Sequence, residues 1–351
     1  MIEVRNLKKS YGSFKALHGI SFTVERGHVY GFLGPNGAGK STTMNIITGC
    51  LAASDGTVTI NGDDIYTDPI EAKKCIGYLP EQPPLYLDMK VTEYLDFVGR
   101  AKGLRGSELY EQIDEVIELT GLENVSTRLI KNLSKGYRQR VGIAQAMLGN
   151  PEVIILDEPT VGLDPIQIIE IRDLIKSLAR THTVILSSHI MQEISAVCDH
   201  IMIISGGRLV ADDSIEGLLE KYCTSVTLSL VCKCTQKRLS EALSGIQGIS
   251  ESEYTQAGEG LCAARLVYNA SHDIREAIWQ RLTAAGIVTL EFTPNVMTLE
   301  DIFISLTGTP HADEDDEEAY ASPAPDMPDD DDDADDDGKN EDGTDYKPLF
   351  S

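Results

Sequence analysis

A run of nine residues near the N-terminus has the types and spacing that bind a polyphosphate. In order these residues are Gly34, Pro35, Asn36, Gly37, Ala38, Gly39, Lys40, Ser41 and Thr42. The run matches G-x-x-x-x-G-K-[ST] at every fixed position: the glycines let backbone N–H groups surround phosphate oxygens, and a following helix adds partial positive charge. Lys40 can reach the outer phosphates, and the Ser41 hydroxyl can ligate Mg²⁺. This pattern predicts a nucleotide-phosphate site rather than a glycine-rich turn with a chance lysine.

Two carboxylates directly follow an apolar run further along the chain. Residues 153–156 read as a strand buried on both faces, and Asp157 and Glu158 come immediately after it. Groups that perform chemistry in α/β sheets lie at the carboxyl ends of such strands. Asp157 can hold Mg²⁺ opposite Ser41, directly or through water, and Glu158 can polarise an attacking water. Alone, the pair would be a charged turn after a core strand; downstream of a phosphate loop, it predicts a hydrolytic site.

A histidine stands at the end of a third apolar run. Residues 183–187 read as a strand that delivers His189 to the sheet edge where the phosphates are expected. The buried strand at 29–33 precedes the phosphate loop, and a helix over 41–47 follows it. A solitary histidine is usually structural, and that alternative stays open for His189 on its sequence alone.

The apolar pattern indicates which elements must position these groups. Short runs between turns predict strands at 2–4, 14–17, 20–24, 29–33 and 56–60. Apolar residues at three- and four-residue spacing predict helices between about 91 and 148. Ser134 is placed to cap the last of these helices, which we expect to run to Gly149. Asp164 is placed to cap another, with Pro165 at its first position.

Together these features resemble the ATP-binding subunit of an ABC transporter over residues 1 to about 220. The resemblance is specific because seven motifs occur in the family's order. They are Tyr11 for the adenine-stacking aromatic, 34–42 for the Walker A loop, Glu81 for the Q-loop, 133–139 for the signature helix, 153–158 for the Walker B strand, 162–164 for the D-loop and His189 for the switch histidine. It implies a P-loop NTPase fold of the ABC type, an α/β class in which a RecA-like core carries antiparallel β and helical subdomains.

The resemblance also implies which residues bind nucleotide. Tyr11 would stack on adenine and residues 34–42 would hold the phosphates of ATP. Ser134 and Gly136 would approach the phosphate of a nucleotide bound to a facing subunit, and Asp164 belongs to the D-loop beside them.

Catalytic and metal roles follow from the same resemblance. Glu158 would orient or deprotonate the attacking water, and His189 would contact the γ-phosphate. Ser41 and Asp157 would hold Mg²⁺, and Glu81 takes the place of the Q-loop glutamine, where it could still meet Mg²⁺ or water.

The chain departs from the family pattern at two motifs. Glu81 replaces an amide by a carboxylate and adds charge near the γ-phosphate. The signature reads Leu-Ser-Lys-Gly-Tyr in place of Leu-Ser-Gly-Gly-Gln, so Lys135 and Tyr137 differ while Ser134 and Gly136 are retained. Similar variants occur in the branch that resembles gliding-motility and multidrug-export ATPases, which pair with separately encoded membrane subunits.

The resemblance implies an ATPase that uses ATP and Mg²⁺, pairs head-to-tail with a second copy, and powers transport through an integral membrane permease. It favours export over import. We expect it peripherally at the cytoplasmic face of the cell membrane, with the permease contact in the helical stretch 76–130. The competing hypotheses are a soluble ABC ATPase and a nucleotide-dependent interaction module with little turnover. One cassette without large insertions disfavours the first, whereas the altered signature and Glu81 favour the second.

Charge is unevenly distributed along the sequence. The net charge is −26, from 56 acidic and 30 basic residues. Residues 311–351 hold 18 of the acidic and two of the basic residues, so they carry −16 and the rest of the chain −10. An acidic body argues against nucleic acid as a partner. The tail cannot bury enough apolar area to offset its ordering entropy, so residues 309–351 are predicted to be disordered.

Composition bounds the remaining possibilities. The seven cysteines have one tight spacing, Cys232-x-Cys234, and no second pair to complete a tetrahedral zinc site. No segment approaches the roughly 18 apolar residues of a membrane helix, and the N-terminus lacks a signal-peptide pattern. We therefore expect a cytosolic protein with reduced thiols.

Three regions are predicted from these patterns. They are an ABC ATP-binding domain at 1–222 with its helical subdomain at about 90–148, a small α+β accessory domain at 223–308, and the acidic tail at 309–351. In the accessory domain, Val226, Leu228 and Leu230 alternate as in a half-buried strand, and Thr298 begins a capping box before the last helix. This domain carries no catalytic constellation.

Overall fold

The computed structural model describes residues 2–308, in which strands and helices are distributed along the whole length. The strands are β1 (Ile2–Tyr11), β2 (Phe14–Val24), β3 (Val29–Leu33), β4 (Asp55–Ile60), β5 (Asp63–Asp64), β6 (Ile76–Leu79), β7 (Val153–Asp157), β8 (Thr183–Ser188), β9 (His200–Ser205), β10 (Arg208–Ser214), β11 (Ser225–Lys233), β12 (Ile249–Gly258), β13 (Leu261–Asn269) and β14 (Val288–Val296). The helices are α1 (Lys40–Ile47), α2 (Pro69–Lys74), α3 (Val91–Ala101), α4 (Gly106–Thr120), α5 (Lys135–Met147), α6 (Pro165–Leu178), α7 (Met191–Ser195), α8 (Ile215–Tyr222), α9 (Gln236–Leu243), α10 (Arg275–Ala284) and α11 (Leu299–Thr307).

The central sheet places the predicted chemistry at one edge. Its strand order is β10-β9-β3-β8-β7-β6, parallel from β9 to β6, with β10 antiparallel to β9. Every residue of β3, β7 and β8 is buried, which explains their continuous apolar sequences. Leu33 pairs with Ser188, and Asp157 with Ser187. The phosphate loop, Glu158 and His189 therefore leave the sheet at the same edge.

An antiparallel sheet of order β2-β1-β4-β5 contains the N-terminal residues. The prediction of two strands at 14–17 and 20–24 is wrong, because β2 is continuous through both. Its pairing with β1 shifts register between Leu7 and Lys8, and the extra residue on β2 is Gly19. Gly19 has φ 102°, a left-handed conformation that interrupts the apolar pattern without ending the strand.

Helices α3, α4 and α5 form the helical region expected between 91 and 148. Their inward residues belong to one buried apolar cluster, which includes Leu95, Leu109 and Val141. The Ser134 hydroxyl accepts a hydrogen bond from Tyr137 N at 3.3 Å and so caps α5, as the sequence indicates. Helix α5 ends at Met147, two residues before the predicted Gly149, which instead has φ 85°.

The C-terminal elements form a third sheet, of order β12-β13-β11-β14, with a separate apolar cluster. Alternate β11 residues, including Val226, Leu228 and Leu230, are buried against α9 and α10. Thr298 and Asp301 form the predicted capping box, with N–H···O distances of 2.8 and 3.2 Å. Beyond it, α11 packs through its apolar side chains on the cluster that contains α7 and β9. The boundary at 222/223 stays a prediction.

Two further predictions concern the acidic tail and membrane-spanning segments. The predicted disordered tail at 309–351 lies outside the described residues. Within residues 2–308, each helix is too short or too polar to cross a bilayer.

Candidate nucleotide-binding and catalytic site

Most of the predicted nucleotide-contacting residues line one cavity of about 490 Å³ at the edge of the central sheet. The predicted residues in its wall are Tyr11, Asn36, Gly37, Gly39, Lys40, Ser41, Thr42, Glu81, Glu158 and His189. Three further wall residues were not predicted: Phe14, Ala16 and Val161. Glu81 lines this wall, whereas Gln82 is not among its residues. The alignment that placed the carboxylate at the Q-loop position is therefore consistent with the geometry.

The phosphate loop passes so close to its neighbours that glycine is required at two positions. A Cβ on Gly34 would collide with the Ile204 carbonyl oxygen of β9. At Gly39, which has φ 107° and precedes α1, a Cβ would lie 2.7 Å from Leu17 Cδ2 of β2. Gly34, Pro35 and Ala38 are not wall residues of the cavity: Ala38 is buried, and its N–H donates to the Pro35 carbonyl at 3.2 Å. These three residues set the conformation of the loop, from which Gly37 and Lys40 line the cavity.

Lys40 is the buried cation of the site. Its side chain is 6% exposed, and Nζ donates to the carbonyl oxygens of Gly34 at 2.8 Å and Pro35 at 3.3 Å. The same Nζ lies 3.3 Å from Glu158 Oε1, whose side chain is 7% exposed. Opposite charges this well buried interact more strongly than at the surface, and each compensates the desolvation of the other.

Glu158 joins the lysine to the histidine. His189 Nδ1 lies 2.9 Å from Glu158 Oε2; since a carboxylate only accepts, the proton of this hydrogen bond is on Nδ1. The Glu158 N–H donates to Ser187 Oγ at 2.9 Å, and Ser187 Oγ donates to Asp157 Oδ1 at 2.5 Å. Glu158 has φ 48°, a conformation that few non-glycine residues adopt and that costs free energy unless its surroundings impose it.

The predicted metal ligands are oxygen donors of the kind Mg²⁺ prefers. Asp157 is buried at the end of β7, Ser41 is the second residue of α1, and Glu81 lines the same cavity wall as Ser41. Among residues 2–308 no group of three His, Cys, Asp or Glu side chains is arranged to hold a metal by itself. A small number of oxygen donors suits Mg²⁺, which usually takes one or two carboxylates and completes its shell with phosphate oxygens and water.

Tyr78 is a partly buried phenol near Asp157. Its hydroxyl donates to Asn45 Oδ1 at 3.2 Å. Burial, together with the negative charge of Asp157, raises the pKa of Tyr78 well above its usual range. The phenol therefore stays neutral beside the carboxylate over the physiological range of pH.

The remaining predicted residues lie together in a different hollow, of about 480 Å³. Ser134, Gly136 and Asp164 line it, with Tyr137 and Gln167. A Cβ on Gly136 would come 2.7 Å from Gln167 Cδ, so the signature helix and α6 are in close contact there. Asp164 caps α6 by accepting from Gln167 N at 2.9 Å. Within one chain, this hollow and the phosphate cavity share no wall residue.

Lys135 shows how the altered signature is accommodated. Its ammonium group lies beside Gly162 of the D-loop, where a Cβ at that position would meet Nζ. Gly162 has φ 69°, so glycine is required there for its backbone. The lysine thus contacts the D-loop of its own chain.

The sequence did not reveal the residues that support the catalytic pair. Ser187 is buried and hydrogen-bonded to Asp157 and Glu158, but it belongs to an apolar strand. Glu193 is buried and hydrogen-bonded to Thr160 and Ser188, but it belongs to a five-residue helix. Phe14 pairs with Tyr11 across the β1–β2 turn. Its place in the sequence, shortly after Tyr11 at the start of a predicted strand, was the one sequence signal for a second aromatic in the cavity.

Known proteins that are similar to this chain point to one family. The family model described as ABC transporter matches residues 17–161. The bacitracin transport ATP-binding protein BcrA of Bacillus licheniformis is 35% identical over 311 residues, covering 88% of this chain and 97% of the relative. The Nod factor export ATP-binding protein I of Rhizobium sp. (strain N33) is 32% identical over 312 residues, covering 88% and 97%.

Solved structures give the same result. The dimeric structure of a bacterial ABC transporter cassette, MJ0796, superimposes with a TM-score of 0.56 at 27% identity, covering 61% of this chain and 99% of that one. The predicted P-loop fold of ABC type is thereby confirmed. With relatives matched over nearly nine tenths of its length, the chain belongs to the ATP-binding, ATP-hydrolysing subunits of ABC transporters.

Proposed function

We propose that ATP binds with its phosphates at residues 34–42 and that Glu158 and His189 act on its terminal phosphate. The observation that carries this proposal is the series of contacts from buried Lys40 through buried Glu158 to His189, whose side chain is 37% exposed. Lys40 neutralises phosphate oxygens, and Tyr11, which is half-exposed, stacks on adenine. The Lys9 ammonium lies over the Tyr11 ring, 5.0 Å from its centroid.

Hydrolysis then needs few moving groups. A water oxygen attacks the γ-phosphorus in line with the departing ADP oxygen, and Glu158 accepts the proton that the water loses. His189, held by Glu158, contacts the γ-phosphate. Ser41 and Asp157, with Glu81 nearby, would hold Mg²⁺, which would supply positive charge to the phosphate oxygens when bound. Positioning and charge neutralisation account for most of the catalysis in phosphoryl transfer.

Replacing Lys40 tests the binding site. Because a charge-assisted hydrogen bond contributes about 1.5–3 kcal/mol, we expect Lys40→Ala to weaken ATP binding by about 10- to 100-fold. Equilibrium dialysis with labelled ATP measures this, and Lys73→Ala, which changes an exposed lysine of α2, is the matched control. Unchanged affinity in Lys40→Ala would place the phosphates elsewhere.

The second copy is proposed from the separation of the two hollows. Ser134, Gly136 and Asp164 do not line the phosphate cavity of their own chain, yet Ser134 is exposed. A head-to-tail pair would bring them to the γ-phosphate held by the partner copy. The dimeric state of the MJ0796 cassette supports such a pair.

A membrane permease is the proposed transport partner, bound through the helical stretch 76–130. Tyr86, Leu87 and Phe97 expose 54, 45 and 45% of their surface there, and the Tyr86 and Phe97 rings pack edge to face at 5.3 Å. Exposed aromatic side chains grouped in this way are typical of interaction sites. Binding would hold the chain at the cytoplasmic face of the membrane. One relative, the Nod factor protein, is named for export, which favours export here.

The aromatic surface gives a direct test of that partner. We expect Phe97→Asp to release the chain from membranes that contain its permease. The ring would be buried in the complex, and a carboxylate in its place would lose its water there. The chain is expressed together with the genes adjacent to its own, and sedimentation of the membranes from those cells measures the fraction of the chain that is membrane-bound. Ile70→Asp, at an exposed position of α2 outside 76–130, should stay bound. Equal retention of both variants would contradict the assignment of this surface.

A further inference from the structure

A buried carboxylate that the mechanism does not use lies behind the catalytic pair. Glu193, in α7, is only 5% exposed. A single oxygen, Oε2, accepts hydrogen bonds from Thr160 Oγ1 at 2.6 Å and from Ser188 Oγ at 2.9 Å. Burying an ionisable group costs free energy unless it is hydrogen-bonded, so these two hydroxyls account for its presence in the core.

The two hydroxyls come from the two segments that present the reacting groups. Thr160 follows Glu158 by two residues in the turn after β7, and Ser188 immediately precedes His189 at the end of β8. Ser188 Oγ also accepts from Ile190 N at 3.1 Å, so it fixes the backbone on the other side of His189 as well. Glu193 therefore joins the segment of Glu158 to the segment of His189.

The backbone conformation of Glu158 explains why this hydrogen-bonded connection through Glu193 is needed. With φ 48°, its backbone lies in a region that is populated only when neighbouring contacts impose it. Ser187 holds Glu158 from the amino-terminal side, through the 2.9 Å bond from Glu158 N. Thr160, held by Glu193, restrains the turn from the carboxyl-terminal side. The two restraints together define where the Glu158 carboxylate meets His189.

We propose that Glu193 is a positioning residue for ATP hydrolysis, which acts by holding Glu158 and His189 at their 2.9 Å separation. This inference rests on the proposed catalytic roles of those two residues. Glu193 itself touches neither Lys40 nor the wall of the phosphate cavity. Its loss should therefore affect the chemical step and leave nucleotide binding intact.

Replacement of Glu193 by Ala and by Gln separates positioning from a merely structural role. Because a misplacement of about 1 Å can cost about 100-fold in rate, we expect Glu193→Ala to lower kcat by about 10- to 100-fold. The KM for ATP and the affinity for ATP should stay close to those of the wild-type chain. In Glu193→Gln the side-chain carbonyl oxygen can accept both hydroxyls, so most of the wild-type kcat should return.

Two further variants keep the test decisive if Glu193→Ala folds poorly. Thr160→Val and Ser188→Ala each remove one hydroxyl while the carboxylate stays, and each should lower kcat with little change in KM. Steady-state phosphate release gives kcat and KM, and thermal melting reports folding. Wild-type kcat in folded Glu193→Ala would overturn the proposal, as would equal losses in the Gln and Ala variants. If Glu158→Gln is inactive while Glu193→Ala is fully active, this inference alone fails; if Glu158→Gln is active, the catalytic assignment fails.

Discussion

Glu158→Gln is expected to cut ATP turnover by about 10²- to 10⁴-fold while ATP still binds, because this substitution removes the group that accepts the proton from water. The amide has the same shape and can still accept from His189, so the cavity should keep its form. It also removes the negative charge 3.3 Å from Lys40, which leaves the lysine free for phosphate. Phosphate release under saturating ATP, with dialysis for affinity, measures both parts of this expectation.

A matched substitution controls for the change of charge. Glu118 is an exposed residue of α4 and does not line the phosphate cavity. Glu118→Gln should hydrolyse ATP at the wild-type rate. Wild-type turnover in Glu158→Gln would show that another group activates the water.

Ser134→Arg is expected to abolish turnover while each chain still binds ATP. Ser134 is exposed, lines the second hollow and is absent from the phosphate cavity of its own chain. An arginine there would obstruct the approach of a second copy and remove a hydroxyl from its phosphate. ATP affinity measured by dialysis should stay near that of the wild-type chain, and phosphate release should fall to background.

The same substitution also removes the cap of α5, and this effect must be separated from the first. Loss of a serine cap costs about 1 kcal/mol, so the melting temperature should fall modestly. Ser107→Arg, in the exposed first turn of α4, introduces the same charge outside the hollow and should retain turnover. If Ser134→Arg retained turnover while folded, the two hollows would not form one site.

The phosphate loop and its flanking strands were predictable because their determinants are local. Gly34, Gly39 and Lys40 are fixed by backbone conformation, close approach and charge, and each requirement leaves one suitable residue type. The strands at β3 and β7 were predictable for a related reason. Burial on both faces leaves an uninterrupted apolar run, which few other structures require.

The supporting residues were not predictable because their determinants are tertiary. Glu193 is a carboxylate on a short helix, and only the packing of α7 beneath two loops makes it a hydrogen-bond acceptor for Thr160 and Ser188. The prediction of two strands in place of β2 was wrong because of Gly19, since a glycine occurs both at bulges and at strand ends. The resemblance placed Ser134 at the phosphate of a facing subunit, and within a single chain Ser134 lies in a hollow separate from the phosphate cavity.

We propose that two copies of this chain enclose ATP between the phosphate cavity of one and the signature hollow of the other. Light scattering of the Glu158→Gln chain with MgATP and with MgADP tests it most directly, since this variant should bind ATP without consuming it. We expect twice the 38.3 kDa chain mass with MgATP and a single chain mass with MgADP. A single chain mass under saturating MgATP would contradict it.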